Sequence, residues 1–239
     1  MRSFLLPLWM IAAPPALIVA GPAAARDAFA KYYSDYPPQP IPILRDAGAP
    51  ELIASSRNLD RDIAQMWERG YGAIGHSTFT AEMQDSKDAL RQAEAVHARY
   101  VIICQSCKPA TGNSFHDSGH SGGYDQEALF FAPVKKSGSG LLVREATDAE
   151  RGELGRNGAV TVVAVRNGSP ASAAGLVAGD KMLSVDDMRP VDPEVWNRLF
   201  LVGEAPIRIS FVRDGMRYDV TMTIPPAWRL GAPPKGARR

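Results

Sequence analysis

Between residues 51 and 135 the apolar positions switch between two periods. Leu59, Ile63, Met66 and Trp67 fall at the i, i+4, i+7, i+8 spacing that places them on one face of a helix, predicted to begin near Asn58 and to stop at Gly70. Ala89, Ala93 and Val96 mark the inner side of a second helix over residues 85–98. Residues 51–55, 71–77 and 100–104 read as strands, the last of them, YVIIC, apolar throughout in the manner of a strand covered on both faces. That order implies right-handed β-α-β crossovers. A further strand over 126–134, carrying Leu129, Phe130 and Phe131, is expected to return antiparallel after a polar loop. The prediction is a small three- to four-stranded α/β domain over 51–135. Residues 26–50, with KYYSDYPPQPIPIL and no period, are expected to form an extended Pro/Tyr-rich arm that packs Tyr32, Tyr33 and Ile43 onto that domain.

From residue 136 the elements shorten. Val160, Val162, Val163 and Val165 form a β-branched run that Asn167 and Gly168 turn. Ser169 before Pro170 reads as an N-cap with proline at the first helical position, opening a short Ala-rich helix that Gly175 stops. Gly179-Asp180 turns the chain into a strand over 181–185, and Asp186-Asp187 turns it again. Asp192 and Pro193 open a helix with Val195, Trp196, Leu199 and Phe200 on its apolar side, and strands over 207–213 and 216–224 meet at Asp214-Gly215. The chain beyond Pro225 is proline-rich and basic and is expected to lack order, with 229–239 as a disordered tail.

Gly168-Ser169-Pro170-Ala171, Ala174-Gly175-Leu176, Gly179-Asp180 and Met182-Leu183-Ser184-Val185 together resemble the signature of a PDZ domain of the bacterial kind found behind periplasmic trypsin-like serine proteases. Aspartates stand at 186 and 187 where that family usually has Asn-Gly, so Asp187 occupies a position that favours positive φ. The resemblance covers residues 136–228. It implies a fold of α/β plus mostly-β class, the small α/β domain being followed by a PDZ β-sandwich or barrel with two short helices. It further implies a module that binds peptide or protein C-termini and has no chemistry of its own. Gly138, Ser139, Gly140 and Leu141 stand in the place of the family's carboxylate-binding loop, whose backbone N–H groups receive the peptide end. Leu141, Leu142 and Val143 open the strand that lends its edge, and Val195, Trp196 and Leu199 would line the far side of the groove. A β-branched residue at Gly140 is expected to obstruct the peptide while leaving the domain folded. The first domain, GYGAIGHSTF followed by a helix and YDQEALFF, is similar to a small α/β domain that precedes a PDZ domain in some exported bacterial proteins.

Charge and the N-terminus change the picture in one respect each. Residues 1–25 carry Arg2, an apolar stretch over 4–20 and Ala23-Ala24-Ala25, the small-x-small pattern of a cleaved signal peptide. Pro7, Pro14, Pro15 and Pro22 suit cleavage better than a spanning helix, so no membrane span is expected afterwards, and a periplasmic or secreted location is. Losing Arg2 balances the remaining basic side chains against the 26 acidic ones, which gives nucleic acid no reason to bind.

Candidate chemistry is sparse. Gly119-His120-Ser121-Gly122-Gly123 matches a nucleophile elbow but lacks the strand before it and the helix after it. Cys104 and Cys107, the chain's two cysteines, are expected to form a local disulfide in an oxidising compartment, with free thiols, a redox pair or a zinc site with His116 and His120 as the alternatives. His76 lies at a strand end with no companion acid or nucleophile identified. The expectation is therefore a non-enzymatic peptide-binding protein with neither metal nor cofactor. A periplasmic enzyme or metal/redox factor using the loop from Cys104 to His120 is one alternative, and a purely structural assembly protein is the other.

Overall fold

The computed structural model describes residues 27–36, 42–44, 48–81, 84–105, 124–154, 160–189, 195–196 and 206–229. The expected signal segment, Cys107, His116, the Gly119 to Gly123 run, Asp192, Pro193, Leu199, Phe200 and the tail from residue 230 lie outside them. The described residues form two five-stranded sheets, α/β first and mostly β second, which is the expected fold class.

The first sheet contains β1 (Tyr33–Asp35), β2 (Glu51–Ala54), β3 (Tyr71–Ala81), β4 (Tyr100–Gln105) and β5 (Tyr124–Pro133) in the order β1-β3-β5-β4-β2. β2 and β4 pair in parallel, and β5 runs antiparallel to both β3 and β4. Helix α2 (Leu59–Glu68) covers one face, where Leu59 and Met66 join Ile102, Leu129 and Phe131. Helices α1 (Ala28–Lys31) and α3 (Ser86–Ala95) cover the other, where Phe29, Ala89 and Ala93 join Val101 and Phe130. The apolar run of β4 thus serves two layers. Asn58 Oδ1 accepts the Arg61 N–H at 3.0 Å and Asp85 Oδ1 the Lys87 N–H at 2.9 Å, so both predicted helices start at their caps. Gly70, at φ 90°, ends α2.

Two features of this sheet differ from the expectation. It has five strands, because residues 27–36 form a helix and a strand in place of an extended arm. Asp27 caps α1, fully buried Phe29 meets Phe79 edge-on at 5.0 Å, and the Ser77 hydroxyl donates to the Phe29 carbonyl at 2.7 Å. The second difference is that β5 separates β3 from β4, so a single pair of strands, β2 and β4, is parallel.

The second sheet is an antiparallel meander of β6 (Leu141–Glu145), β7 (Val160–Val165), β8 (Lys181–Val185), β9 (Ile207–Arg213) and β10 (Met216–Met222), in the order β10-β9-β8-β7-β6. Its core gathers Leu141, Val160, Val162, Leu176, Met182, Trp196, Ile209, Phe211 and Trp228. Helix α5 (Pro170–Ala173) begins as predicted, with Ser169 Oγ accepting the Ser172 N–H at 3.2 Å. Asp186 and Asp187 both take positive φ, 46° and 65°, and the Asp186 carboxylate secures the turn by accepting the Arg208 N–H at 2.8 Å.

Helix α4 (Asp148–Leu154) was not expected, because it buries no residue and so carries no apolar stripe. A reciprocal pair starts it: the Glu150 carboxylate accepts the Thr147 N–H at 2.7 Å, and Thr147 Oγ1 accepts the Glu150 N–H at 3.3 Å. The chain after Pro225 also keeps its order further than expected. Residues Pro226–Trp228 form a 3-10 turn whose tryptophan is buried in the second core. No helix among the described residues is long and apolar enough to cross a membrane.

Candidate functional site

The loop from Ser137 to Leu141 sits where both sheets meet. Gly138 and Gly140 have φ of 67° and 79°, the left-handed backbone that their lack of a side chain permits. Gly138 donates its N–H to the Trp228 carbonyl at 2.7 Å, and Leu141 donates to Ser139 Oγ at 3.2 Å. The Ser139 carbonyl accepts the Ala171 N–H at 3.0 Å. The Gly140 carbonyl accepts two bonds, from the Arg166 N–H at 2.9 Å and from the Trp67 indole at 3.0 Å. Among the described residues the N–H groups of Ser139 and Gly140 donate to nothing, although Ser139 is 4% exposed and Gly140 is buried.

Beyond the loop, β6 ends its sheet, and among the described residues its second edge has no strand partner. Leu141 faces the second core, Leu142 packs with Trp67, Val134 and Ala164, and Val143 returns to the second core. Arg144 follows in a bidentate pair with Glu150, at 2.8 and 2.9 Å, which holds the Glu150 carboxyl down at about 2. Of the helix expected across the groove, Val195 is exposed and Trp196 is wholly buried in the core. Trp196 therefore supports the sheet from inside, and Leu199 lies outside the described residues.

Gly140 corrects one expectation. A Cβ built there would lie 2.3 Å from Ser169 Cβ, closer than packed carbons approach. A branched side chain at 140 disturbs the fold itself and not merely an incoming ligand.

The first sheet brings together several of the groups that chemistry would need, and among the described residues they form no dyad. His76, Thr78 and Glu127 lie on the α2 face, where Glu127 stands opposite Thr78 on one side and Cys104 on the other. Cys104 is disulfide-bonded. The His76 ring lies 5.0 Å from that of Tyr36, and its Nδ1 is buried with no hydrogen-bond partner among the described residues. Burial lowers the His76 pKa and raises that of Tyr36 to about 12, the latter with help from Glu127 and Asp60. No group of three or more potential metal ligands occurs among the described residues.

Burial also raises the Glu127 carboxyl above its ordinary 4.5. The folded chain binds this proton more tightly than the unfolded one, a contribution present below the unfolded value and lost as pH rises through the folded one. Glu127→Gln is accordingly expected to raise the thermal midpoint at about pH 7 and to do nothing below about pH 4, where both states are protonated. Equal midpoints for variant and wild type at neutral pH would contradict this.

Trp67, Arg166 and Trp228 were not identified from the sequence as parts of the loop. The available signal was an indole on the apolar face of α2, since a buried Trp N–H needs an acceptor.

No family model matches the chain, and no curated protein does. Among solved structures the chain is similar to the HtrA3 PDZ domain bound to a phage-derived ligand, at 20% identity over 36% of this chain and 81% of that one, with a TM-score of 0.32. It is also similar to the HtrA-type protease AlgW with a decapeptide, at 23% identity over 47% of this chain, with a TM-score of 0.31. The chain spans 40% of AlgW in that match.

Proposed function

We propose that this is an exported, non-enzymatic protein whose second sheet captures an extended apolar peptide end by strand addition along β6. One observation carries the reading: the β6 edge, which has no strand partner among the described residues, is led by two adjacent, buried main-chain donors, Ser139 and Gly140, with no acceptor among those residues. Buried N–H groups in folded proteins are nearly always paired, so two in succession beside an open strand fit an acceptor that arrives with a partner. A terminal carboxylate supplies that acceptor, and the peptide main chain then continues along the edge. Leu142 and Val143, both half-buried, offer apolar surface to its side chains.

Titrating the full chain against a random C-terminal peptide library should select apolar ends with micromolar dissociation constants, about 8 kcal/mol, since one edge strand buries little area. The amide resonances of Ser139 to Arg144 should move most. A folded protein that binds no member of the library overturns the proposal in favour of a purely structural role.

A further inference from the structure

We infer that Trp67, which belongs to the first sheet's layer, is a positioning residue for the carboxylate loop of the second, so that the two sheets bind a peptide end as one body. The inference rests on the peptide-binding reading above and names what holds that site in shape.

The Gly140 carbonyl belongs to the planar peptide unit that follows the Ser139 and Gly140 N–H groups, so a bond to that carbonyl fixes the C-terminal end of the pair. That carbonyl is held by two donors from different parts of the chain, Arg166 N–H and the Trp67 indole. On the other side of the loop the Gly138 N–H is fixed to the Trp228 carbonyl. Both ends of the Ser139-Gly140 pair are thereby pinned, and among the described residues its two N–H groups have no acceptor. Donors fixed in advance bind an anion without the cost of ordering them.

Trp67 reaches Gly140 because the end of α2 is docked on the second sheet. Trp67 is 6% exposed and, with Ala64, packs against Val134, Leu142 and Ala164. The Glu68 carbonyl accepts the Asn167 N–H at 3.0 Å. Arg166 closes the junction: its guanidinium donates to the Val134 and Lys135 carbonyls at 3.1 and 3.2 Å and stacks over Trp228 at 5.3 Å. Burial lowers its pKa, yet an arginine remains cationic at any working pH. The same guanidinium occupies the space beside Gly70, where a Cβ would lie 2.6 Å from its nitrogen. A second sheet cut away from the first would keep the Arg166 N–H bond and lose the indole, the Glu68 carbonyl and the cover over Leu142.

The test uses the full chain and one apolar pentapeptide prepared with a free C-terminal carboxylate and as its carboxamide. Trp67→Phe keeps an aromatic ring and removes the N–H, whereas Val134→Ala loosens the same cluster without touching Gly140. Trp67→Phe should lower the carboxylate-to-carboxamide affinity ratio about tenfold, the effect of one lost buried hydrogen bond. Val134→Ala should lower the thermal midpoint and leave the ratio unchanged. A folded Trp67→Phe protein with the wild-type ratio overturns the inference, as does a Val134→Ala protein that loses the ratio equally. Should Trp67→Phe fail to fold, the indole N–H resonance of Trp67 in the wild type decides: it must shift with the carboxylate peptide and stay with the carboxamide, and the reverse overturns the inference. Wild-type protein that binds neither peptide fails the peptide-binding reading instead.

Discussion

Gly140→Val should unfold the second sheet, at a cost of about 3–5 kcal/mol, by combining overpacking with left-handed strain on a β-branched residue. The new Cβ would meet Ser169 Cβ at 2.3 Å, with Ser169 Oγ at 2.7 Å and Arg166 Cβ at 3.3 Å. Ser169 has little freedom to yield. Its hydroxyl caps α5, and its N–H donates to the Arg166 carbonyl at 3.2 Å. Gly168 offers the control, since it shares positive φ, 66°, but has nothing within 4 Å of a built Cβ. Gly168→Ala should cost only about 1 kcal/mol, the backbone part alone. Urea midpoints of the two variants separate steric from conformational cost, and a Gly140→Val protein as stable as wild type would refute the close packing described.

Arg213→Met is expected to cost about 2–4 kcal/mol because it strands a carboxylate that no water reaches. The Asp180 side chain is 0% exposed and receives Arg213 Nε at 2.6 Å, Arg213 Nη2 at 2.7 Å and the Val177 N–H at 2.9 Å. Arg213 also donates to the Gly175 carbonyl at 2.9 Å, so it ties the end of the α5 segment to β9. The figure stays below that for a fully sealed pair, because 32% of the Arg213 side chain remains in water. Methionine keeps an unbranched apolar stem but gives up the guanidinium that lies 5.1 Å from the Phe211 ring and 5.9 Å from that of Tyr218. Adding Asp180→Leu to Arg213→Met should recover part of the loss, since a buried pair removed together costs less than one partner removed alone. If the double variant is less stable than the sum of the singles, the charge is not the source of the cost.

The legible parts of the fold were those that state themselves locally. Asn58, Asp85 and Ser169 announce helix starts, and the valines of β7 announce a strand, because caps and periodicity act over a few residues. Residues 27–36 escaped because a four-residue helix and a three-residue strand are too short to show a period; Phe29 is ordered by Phe79 and Ser77, some fifty positions away. Helix α4 was hidden by its polarity, although Thr147-Asp148-Ala149-Glu150 spells a capping box. In the candidate site, glycines at 138 and 140 could be read as backbone adapted for close approach, and both have positive φ. Their neighbours could not be read. Trp67 is 73 residues from Gly140, and Ser169 is brought onto it by a sheet pairing that spacing alone does not encode.

The central place of β5 in the first sheet has a consequence for how the chain is made. Synthesis delivers β1, β2, β3 and β4 before the strand that must lie between β3 and β4. Until residue 133 has left the ribosome, those two strands each present a long unpaired edge, and Phe130 and Phe131 are missing from the two layers they fill. The meander of the second sheet has no such dependence, since each strand pairs with the one just before it. Chains halted after Gln105 should therefore be sticky and prone to capture by holdases. Chains halted only once Pro133 is clear of the ribosome should already protect the first sheet from proteases, even with the second still to come.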